Sequence, residues 1–327
     1  TLPMIPILKS NFPQARVSML LRSYTKDVAM DYEGLDSILE SDGKSFFEML
    51  RSVRLGRFDM AVVAFPRFRV ALLMMVAGIP ARIGSGYRWY SFLFNKRVYE
   101  HRKTGVRHES EYNARLLQAA GCNVETTPRP VLKVRQMQLE KAKSVLKDVG
   151  IFPGDRWVVL HPGSGGSARD WTPKNFGELA RVLMEEGFKV VVTGGPHEDQ
   201  VAAKVVESSG NKAIALVNRF NLNEFAAFLS CANLFVGNSS GPLHIAAAVG
   251  TPVIGFYPDI VACSPKRWGP LTDKKIVFVP DRKKCPLCKG GGCQSDVCMD
   301  QIEVSQVMSA VHSLITSRET ASSLRVH

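Results

Sequence analysis

The alternation of short apolar runs with amphipathic segments in the second half of the chain restricts its fold more than any other feature. Runs rich in β-branched residues recur as WVVL (157–160), KVVVT (189–193), AIALV (213–217), NLFVG (233–237) and PVIGF (252–256). Segments with helical periodicity separate them, over 174–187, 198–208, 222–231 and 242–249. Strands joined by helices of this length form a parallel sheet with helices on both faces. The pattern therefore predicts an α/β fold containing a doubly wound, Rossmann-like domain.

The first half repeats this alternation more loosely. Apolar runs occur as RVSMLL (16–21), FDMAVVAF (58–65) and ARIGS (81–85), and helices are predicted over 44–56, 67–78 and 109–120. Prolines then interrupt the pattern before a new strand begins at Trp157. We therefore predict two Rossmann-like domains, residues 1–150 and 151–327, that face a central cleft. Ligands of such sheets bind beyond the carboxyl ends of the strands, so the loops after the strands are the candidate site.

The loop after WVVL is rich in glycine and small polar residues. Its sequence HPGSGGSARD contains Ser164, Gly165, Ser167 and Arg169, and a helix is predicted to follow from Pro173. Backbone N–H groups near a helix start attract phosphate, and an arginine adds a charge that can bind it in a bidentate manner. The same composition also suits an ordinary surface turn, because the loop matches neither of the common glycine-rich nucleotide motifs.

Two further loops carry polar candidates. Glu198, in GGPHEDQ after the second strand, can accept hydrogen bonds from ribose hydroxyls, or can simply favour a helix start. In GNSSGPLH, the polar residues Asn238, Ser239 and Ser240 are predicted to cap a helix that begins near Pro242. Gly241 presents its N–H to a ligand there, and His244 either donates to a phosphate or fills a core position.

The charge of the chain is concentrated in its first half. Residues 1–150 contain 24 Lys and Arg against 14 Asp and Glu, whereas residues 151–327 contain 18 against 16. The excess is densest in 87–108, where Trp89, Tyr90, Phe92 and Phe94 lie among basic residues. This segment is interpreted as a solvated basic face or as a contact for phosphorylated acceptors and anionic lipid headgroups. Nucleic acid is not expected as a partner, because no nucleic-acid-binding motif accompanies the segment.

Taken in order, these motifs resemble glycosyltransferase family 9, which contains the bacterial lipopolysaccharide heptosyltransferases. The resemblance extends over FDMAVVAFPRFRVALLMMVAGIPARIG, VVLHPGSGGSARDWTPKNFGELARVL, VVVTGGPHEDQ, VGNSSGPLHIAAAVGTPVIGFYP and the cysteine-rich CPLC with DVCMDQI. It implies the GT-B architecture, with the acceptor in the N-terminal domain and the sugar nucleotide in the C-terminal one. It leaves open whether the last helix packs back on the N-terminal domain.

The resemblance also assigns roles to individual residues. Arg169, Gly241 and His244 are expected at the donor diphosphate and Glu198 at the ribose, while Phe220 falls in the adenine pocket or in plain core packing. The family begins with a strand and a glycine-rich turn that carries the proposed aspartate base. That strand is missing here, so the base is expected upstream of Thr1. Ser239 stands where many relatives have aspartate, which leaves the identity of the donor sugar open.

The implied activity is inverting transfer of heptose from ADP-heptose onto a lipopolysaccharide inner-core acceptor. It needs a base and stabilisation of the departing diphosphate, and no cofactor is expected for catalysis. The expected location is cytoplasmic, peripheral on the inner membrane, with contact through 87–108 to the membrane and an anionic glycolipid. The alternatives are another nucleotide sugar or acceptor on the same fold, and a non-catalytic relative that binds nucleotide sugar or lipid.

Four cysteines near the carboxyl end form a separate cluster. Cys285, Cys288, Cys293 and Cys298 have the spacing C-x2-C-x4-C-x4-C. Four close thiolates can bind zinc tetrahedrally, whereas four reduced thiols need no metal. The sequence supports a structural zinc site and reduced cysteines equally.

Overall fold

The computed structural model describes residues 1–166, 169–281, 283 and 296–323 of the chain. It divides into two compact units, Thr1–Pro130 and Val131–His327. Both contain helices and parallel strands, so the predicted α/β class with Rossmann-like units, as in GT-B proteins, is confirmed.

The first unit contains two small parallel sheets. Its helices are α1 (Met4–Asn11), α2 (Ser23–Ala29), α3 (Phe46–Leu55), α4 (Phe68–Val76) and α5 (Glu109–Leu116), and its strands are β1 (Ser18–Leu21), β2 (Ser37–Glu40), β3 (Met60–Val62), β4 (Ala81–Ser85) and β5 (Lys96–Val98). Strand β1 pairs with β2, and β4 lies between β3 and β5. One apolar core joins the two sheets, because Leu20 of β1 and Leu39 of β2 pack against the same buried residues as Ala61 of β3.

The second unit has one six-stranded parallel sheet. Its strands are β6 (Trp157–His161), β7 (Lys189–Gly194), β8 (Ile214–Val217), β9 (Leu234–Asn238), β10 (Val253–Phe256) and β11 (Lys275–Phe278). Its helices are α6 (Gln136–Asp148), α7 (Pro173–Glu185), α8 (Asp199–Ser208), α9 (Leu222–Cys231), α10 (Gly241–Ala248), α11 (Pro265–Trp268) and α12 (Val304–Ser323). The strand order β11-β10-β9-β6-β7-β8 is that of a doubly wound Rossmann sheet.

Burial explains why the apolar runs of the second unit form its central strands. Every residue of β6, β9 and β10 is buried, as expected for strands covered on both faces. Helix α7 begins where the Thr172 hydroxyl accepts a hydrogen bond from the Asn175 N–H and where Pro173 occupies the first turn. Just before it, the buried Trp171 ring stacks on Phe256 with centroids 4.3 Å apart.

The boundary between the units lies earlier in the chain than the sequence indicates. Helix α6, in the predicted first domain, packs against α9 of the second unit. The Leu132 N–H also donates to the Ala248 carbonyl over 3.0 Å, and Lys141 forms an ion pair with Glu224. These contacts place residues from Val131 onward in the second unit. Helix α12 packs against α7 in the same unit, and its predicted packing on the first domain stays a prediction.

The helices in the described part of the chain are too short or too polar to span a bilayer.

Candidate functional site

The predicted site residues of the second unit come together at one end of its sheet. Strand β6 lies between β9 and β7, and His161 at its end is in register with Gly237 of β9. The glycine-rich loop after β6, the loop after β7 with Glu198, and the start of α10 after β9 therefore leave the sheet side by side. We refer to these three segments, 162–170, 195–198 and 239–244, as the strand-end loops.

Glu198 lies directly against the glycine-rich loop. Its Oε2 accepts a hydrogen bond of 2.7 Å from the Gly195 N–H, and its side chain is 17% exposed. A Cβ atom added to Gly163 would lie only 2.1 Å from Glu198 Oε1. The absence of a side chain at Gly163 therefore makes the room that the carboxylate occupies.

His161 lies beside this carboxylate and was not predicted as a site residue. Its side chain is 5% exposed, with Nε2 3.5 Å from Glu198 Oε2 and Nδ1 3.0 Å from Thr193 Oγ1. Burial lowers the pKa of His161 to about 4, although the charge of Glu198 acts in the opposite direction. The imidazole is therefore neutral at neutral pH. The available signal was an ionisable residue that ends an otherwise apolar strand, immediately before a glycine-rich loop.

Asn238 binds the backbone at both ends of the glycine-rich loop. Its Oδ1 accepts from the Trp171 N–H over 2.8 Å, and its Nδ2 donates to the Pro162 carbonyl over 2.7 Å. A longer bond of 3.4 Å reaches the Trp171 carbonyl, and the residue is fully buried. The side chain predicted to cap a helix or meet the donor therefore ties β9 to the loop after β6.

Ser240 occupies the cap position of α10 but does not cap it in the predicted way. Its side chain makes no capping hydrogen bond, and α10 begins at Gly241. Among the residues that the structure describes, the buried hydroxyl oxygens of Ser240 and Ser164 have no hydrogen-bond partner. Because a buried hydroxyl without a partner is costly, these two oxygens at neighbouring strand ends are candidate donors to a ligand.

At the start of α10, the backbone of Gly241 is open to a ligand, whereas the side chain of Ser239 already has a hydrogen-bond partner. A Cβ at Gly241 would have no atom within 4 Å, so a ligand can approach this backbone closely. The Ser239 N–H donates to the Phe256 carbonyl over 3.1 Å, and the Ser239 side chain hydrogen-bonds Tyr257. Burial nevertheless raises the pKa of Tyr257. His244 lies half-buried in the first turn of α10.

The remaining predicted donor residues have the following surroundings. Arg169 Nη1 is 3.9 Å from the Sγ atom of the buried Cys298. Phe220 packs on Phe228 of α9 with ring centroids 4.7 Å apart. Gly165 is exposed with φ +59°, a conformation suited to glycine. Ser167 lies outside the described residues.

Three members of the predicted zinc cluster, Cys285, Cys288 and Cys293, also lie outside the described residues. Within the part that is described, no group of three or more His, Cys, Asp or Glu residues is placed to hold a metal ion. The zinc prediction therefore stays a prediction.

The basic aromatic segment 87–108 belongs to the first unit and is divided between core and surface. Tyr90 and Phe94 are buried, whereas Trp89 is 74% and Phe92 62% exposed. The Trp89 ring stacks on Phe68 with centroids 4.9 Å apart. Only two of the four predicted aromatic residues are therefore available to a partner.

Comparison with known proteins identifies the family. Residues 46–296 match the sequence model described as glycosyltransferase family 9 (heptosyltransferase). The match covers more than half of the chain, which therefore belongs to this family and is a heptosyltransferase-like glycosyltransferase.

Individual relatives agree over nearly full length. A putative glycosyltransferase of Haemophilus influenzae is 29% identical, over 86% of this chain and 85% of the relative. The solved family 9 glycosyl transferase of Veillonella parvula has a TM-score of 0.83 and 22% identity, over 97% of this chain and 93% of its own. The ADP-heptose lipopolysaccharide heptosyltransferase II of Escherichia coli has a TM-score of 0.79 and 20% identity, over 97% and 95%.

Proposed function

We propose that the chain is an inverting heptosyltransferase that moves heptose from ADP-heptose onto a lipopolysaccharide inner-core acceptor. The observation that carries this proposal is the Glu198 carboxylate at the same sheet end as the buried hydroxyls of Ser164 and Ser240. A nucleotide sugar offers ribose hydroxyls that donate to a carboxylate, and a diphosphate that accepts from hydroxyl groups. The fold shared with an Escherichia coli enzyme named for ADP-heptose supports this choice of donor.

Different residues of the site bind different parts of the donor. Glu198 accepts from the ribose hydroxyls, and Phe220 lines the adenine pocket. The hydroxyls of Ser164 and Ser240 and the open backbone of Gly241 donate to the diphosphate. Arg169 and His244 lie at the edges of the same region, where a cation and an imidazole donor stabilise negative charge.

Inversion requires attack by the acceptor hydroxyl on the face of the sugar opposite the diphosphate. The new glycosidic bond forms as the bond to ADP breaks, and the hydroxyl proton passes to a general base. Charge accumulates on the departing diphosphate, so donors that already point there lower the barrier. We propose that Arg169 and the loop N–H groups supply this stabilisation, with no cofactor taking part.

Calorimetry with ADP, UDP and GDP tests the donor site. We expect ADP to bind best and Glu198→Gln to weaken ADP binding about 10- to 100-fold, because a hydrogen bond to a charged group contributes about 1.5–3 kcal/mol. Glu207→Gln, at an exposed position of α8, is the matched control and should bind as the wild type does. Equal affinity for the three nucleotides, with no effect of Glu198→Gln, would contradict the proposal and favour another donor.

Transfer assays test the reaction itself. The proposal expects sugar transfer from ADP-heptose to a purified inner-core acceptor, and NMR of the product should show an inverted anomeric configuration. Retention of configuration would refute the inverting mechanism. Binding of ADP-heptose without any transfer would instead favour a non-catalytic binding role.

We further propose that segment 87–108 contacts an anionic membrane surface and the glycolipid acceptor at the cytoplasmic face. Trp89 and Phe92 are exposed there beside exposed Arg88, Lys96 and Arg97. Vesicles containing phosphatidylglycerol should bind the protein, and salt or the double change Trp89→Ala with Phe92→Ala should weaken that binding. Equal binding to neutral phosphatidylcholine vesicles would contradict this contact.

A further inference from the structure

His161 carries an inference that rests on the proposed donor site and extends it. Its ring is fixed among aromatic residues, stacked on Phe235 with centroids 6.1 Å apart and 6.2 Å from Phe225. The side chain is almost completely buried, at the end of a strand whose other residues are also buried. A polar ring held this tightly needs partners for both nitrogen atoms.

The two partners of His161 determine where its proton lies. The Glu198 carboxylate only accepts hydrogen bonds, so the nitrogen that faces it, Nε2, must carry the hydrogen in a neutral ring. Nδ1 is then an acceptor and takes the hydroxyl hydrogen of Thr193 over 3.0 Å, a shorter contact than the 3.4 Å from the same hydroxyl to the Leu160 carbonyl. A polar relay therefore runs from Thr193 through His161 to Glu198. Its last contact, at 3.5 Å, is longer than an ideal hydrogen bond and orients the carboxylate mainly through electrostatics.

The relay and the neighbouring backbone act on the same oxygen of Glu198. Oε2 receives the Gly195 N–H at 2.7 Å and faces His161 Nε2, whereas Oε1 is the carboxylate oxygen nearest to the Gly163 position. The hydrogen bond from the Gly195 N–H and the electrostatic contact with the His161 ring both act on Oε2 and restrict the rotation of the carboxylate. Oε1 receives neither of these two contacts.

We propose that His161 is a positioning residue that gives the donor site its preference for a ribose diol. It never touches the nucleotide in this arrangement. It holds Glu198 so that Oε1 accepts from the ribose hydroxyls, and a nucleotide that lacks those hydroxyls gains nothing from it. The ligands that His161 favours are therefore ribonucleotides with free 2′- and 3′-hydroxyl groups.

A comparison of ADP with 2′,3′-dideoxy-ADP isolates this role. Both nucleotides are titrated by calorimetry into the wild type, His161→Phe and His161→Gln. We expect His161→Phe to weaken ADP about 5- to 20-fold, the range for losing one hydrogen-bond donor to a carboxylate at long distance. Affinity for dideoxy-ADP should not change. His161→Gln should restore most of the loss, because its amide can donate from a position close to that of Nε2.

Several outcomes overturn the inference. Equal weakening of both nucleotides by His161→Phe means that the residue only supports the fold, and no change in either means that Glu198 is held without it. If His161→Phe does not fold, Thr193→Val tests the same relay, since Nδ1 loses its donor; an unchanged preference for ADP in that variant refutes the role of His161.

A parallel titration of Glu198→Gln separates this inference from the proposed function. Loss of the ADP preference in Glu198→Gln but not in His161→Phe refutes the positioning role alone. An intact ADP preference in Glu198→Gln refutes the ribose-binding role of Glu198, and the inference that depends on it fails as well.

Discussion

Replacing Gly163 by alanine tests the donor site without removing any polar group from it. The new Cβ would lie 2.1 Å from Oε1, 2.2 Å from Cδ and 2.6 Å from Oε2 of Glu198. Carbon and oxygen atoms without a hydrogen bond need more than about 3 Å, so the carboxylate has to move by roughly 1 Å or rotate away. A displacement of that size breaks the 2.7 Å bond from the Gly195 N–H.

The expected cost follows from the interaction that is lost. A hydrogen bond to a charged group contributes about 1.5–3 kcal/mol, so ADP should bind about 10- to 100-fold more weakly to Gly163→Ala. The fold should tolerate the change, because the clashing atoms are the end of a flexible side chain and the backbone at Gly163 does not have a positive φ angle. Calorimetry with ADP measures the affinity, and thermal unfolding checks the fold.

Gly195→Ala provides the matched comparison. A Cβ there would meet Glu198 Oε2 at 3.5 Å, an ordinary contact distance, and the N–H donor is kept. Its effect on ADP affinity should therefore be far smaller than that of Gly163→Ala. Equal ADP affinity in Gly163→Ala and the wild type, with both folded, would refute the conclusion that the position of Glu198 determines nucleotide binding.

Three further predictions concern the buried polar groups around the site. Ser164→Ala and Ser240→Ala should each leave the free energy of unfolding unchanged or higher, since the lost hydroxyl has no hydrogen-bond partner among the described residues. The affinity for ADP should fall about 3- to 10-fold in each variant. A variant that is less stable but binds ADP normally would contradict this prediction. Asn238→Ala should lower the free energy of unfolding, measured in urea, by about 2–4 kcal/mol, because three buried hydrogen bonds are lost. The control variant Asn175→Ala removes one exposed side-chain hydrogen bond and should change the free energy of unfolding by less than about 0.5 kcal/mol. Because the pKa of His161 is lowered in the folded protein, the unfolded chain binds a proton more readily, and the free energy of unfolding falls as pH falls from about 6.5 to about 4. The wild type should lose up to about 3 kcal/mol over this range, and His161→Gln should not. Parallel pH profiles of the two proteins in urea unfolding would contradict this origin.

The sequence predicts the second unit better than the first, for a physical reason. Strands buried on both faces must be continuously apolar, so β6, β9 and β10 stand out as runs such as WVVL and VIGF. In the first unit, β2 is only partly buried, and two of the three residues of β5, Lys96 and Arg97, are exposed. Such short strands have no clear periodicity, and neither was predicted.

The domain boundary shows that prolines alone do not locate the end of a domain. The prolines at 128 and 130 do mark the end of the first unit, but the sequence indicates a boundary at residue 150, because a new strand begins only at Trp157, and this leaves α6 in the first domain. Its buried residues, Ala142 and Leu146, belong with α9 only through a tertiary contact. Contacts of that kind leave no local signal in the sequence.

The candidate site could be predicted as a set of loops but not as a set of roles. The loops after β6, β7 and β9 follow from the parallel topology, since all carboxyl ends lie at one edge of the sheet. The functions of Asn238 and His161 depend on which atoms of neighbouring loops they reach. A polar residue at a strand end looks the same in the sequence whether it binds a ligand or holds the loop that does.

The site consists of loops that side chains of the protein connect to one another. Asn238 fixes the glycine-rich loop at both ends, and the pair of Gly163 and Glu198 packs that loop against the segment after β7. The Glu198 carboxylate and the backbone at Pro162 and Trp171 are therefore held before a ligand arrives, which lowers the entropic cost of binding at these points. Changes at Asn238, Gly163 or His161 should then lower affinity without removing any proposed ligand-binding group, which separates them from changes at Ser164, Glu198 or Ser240.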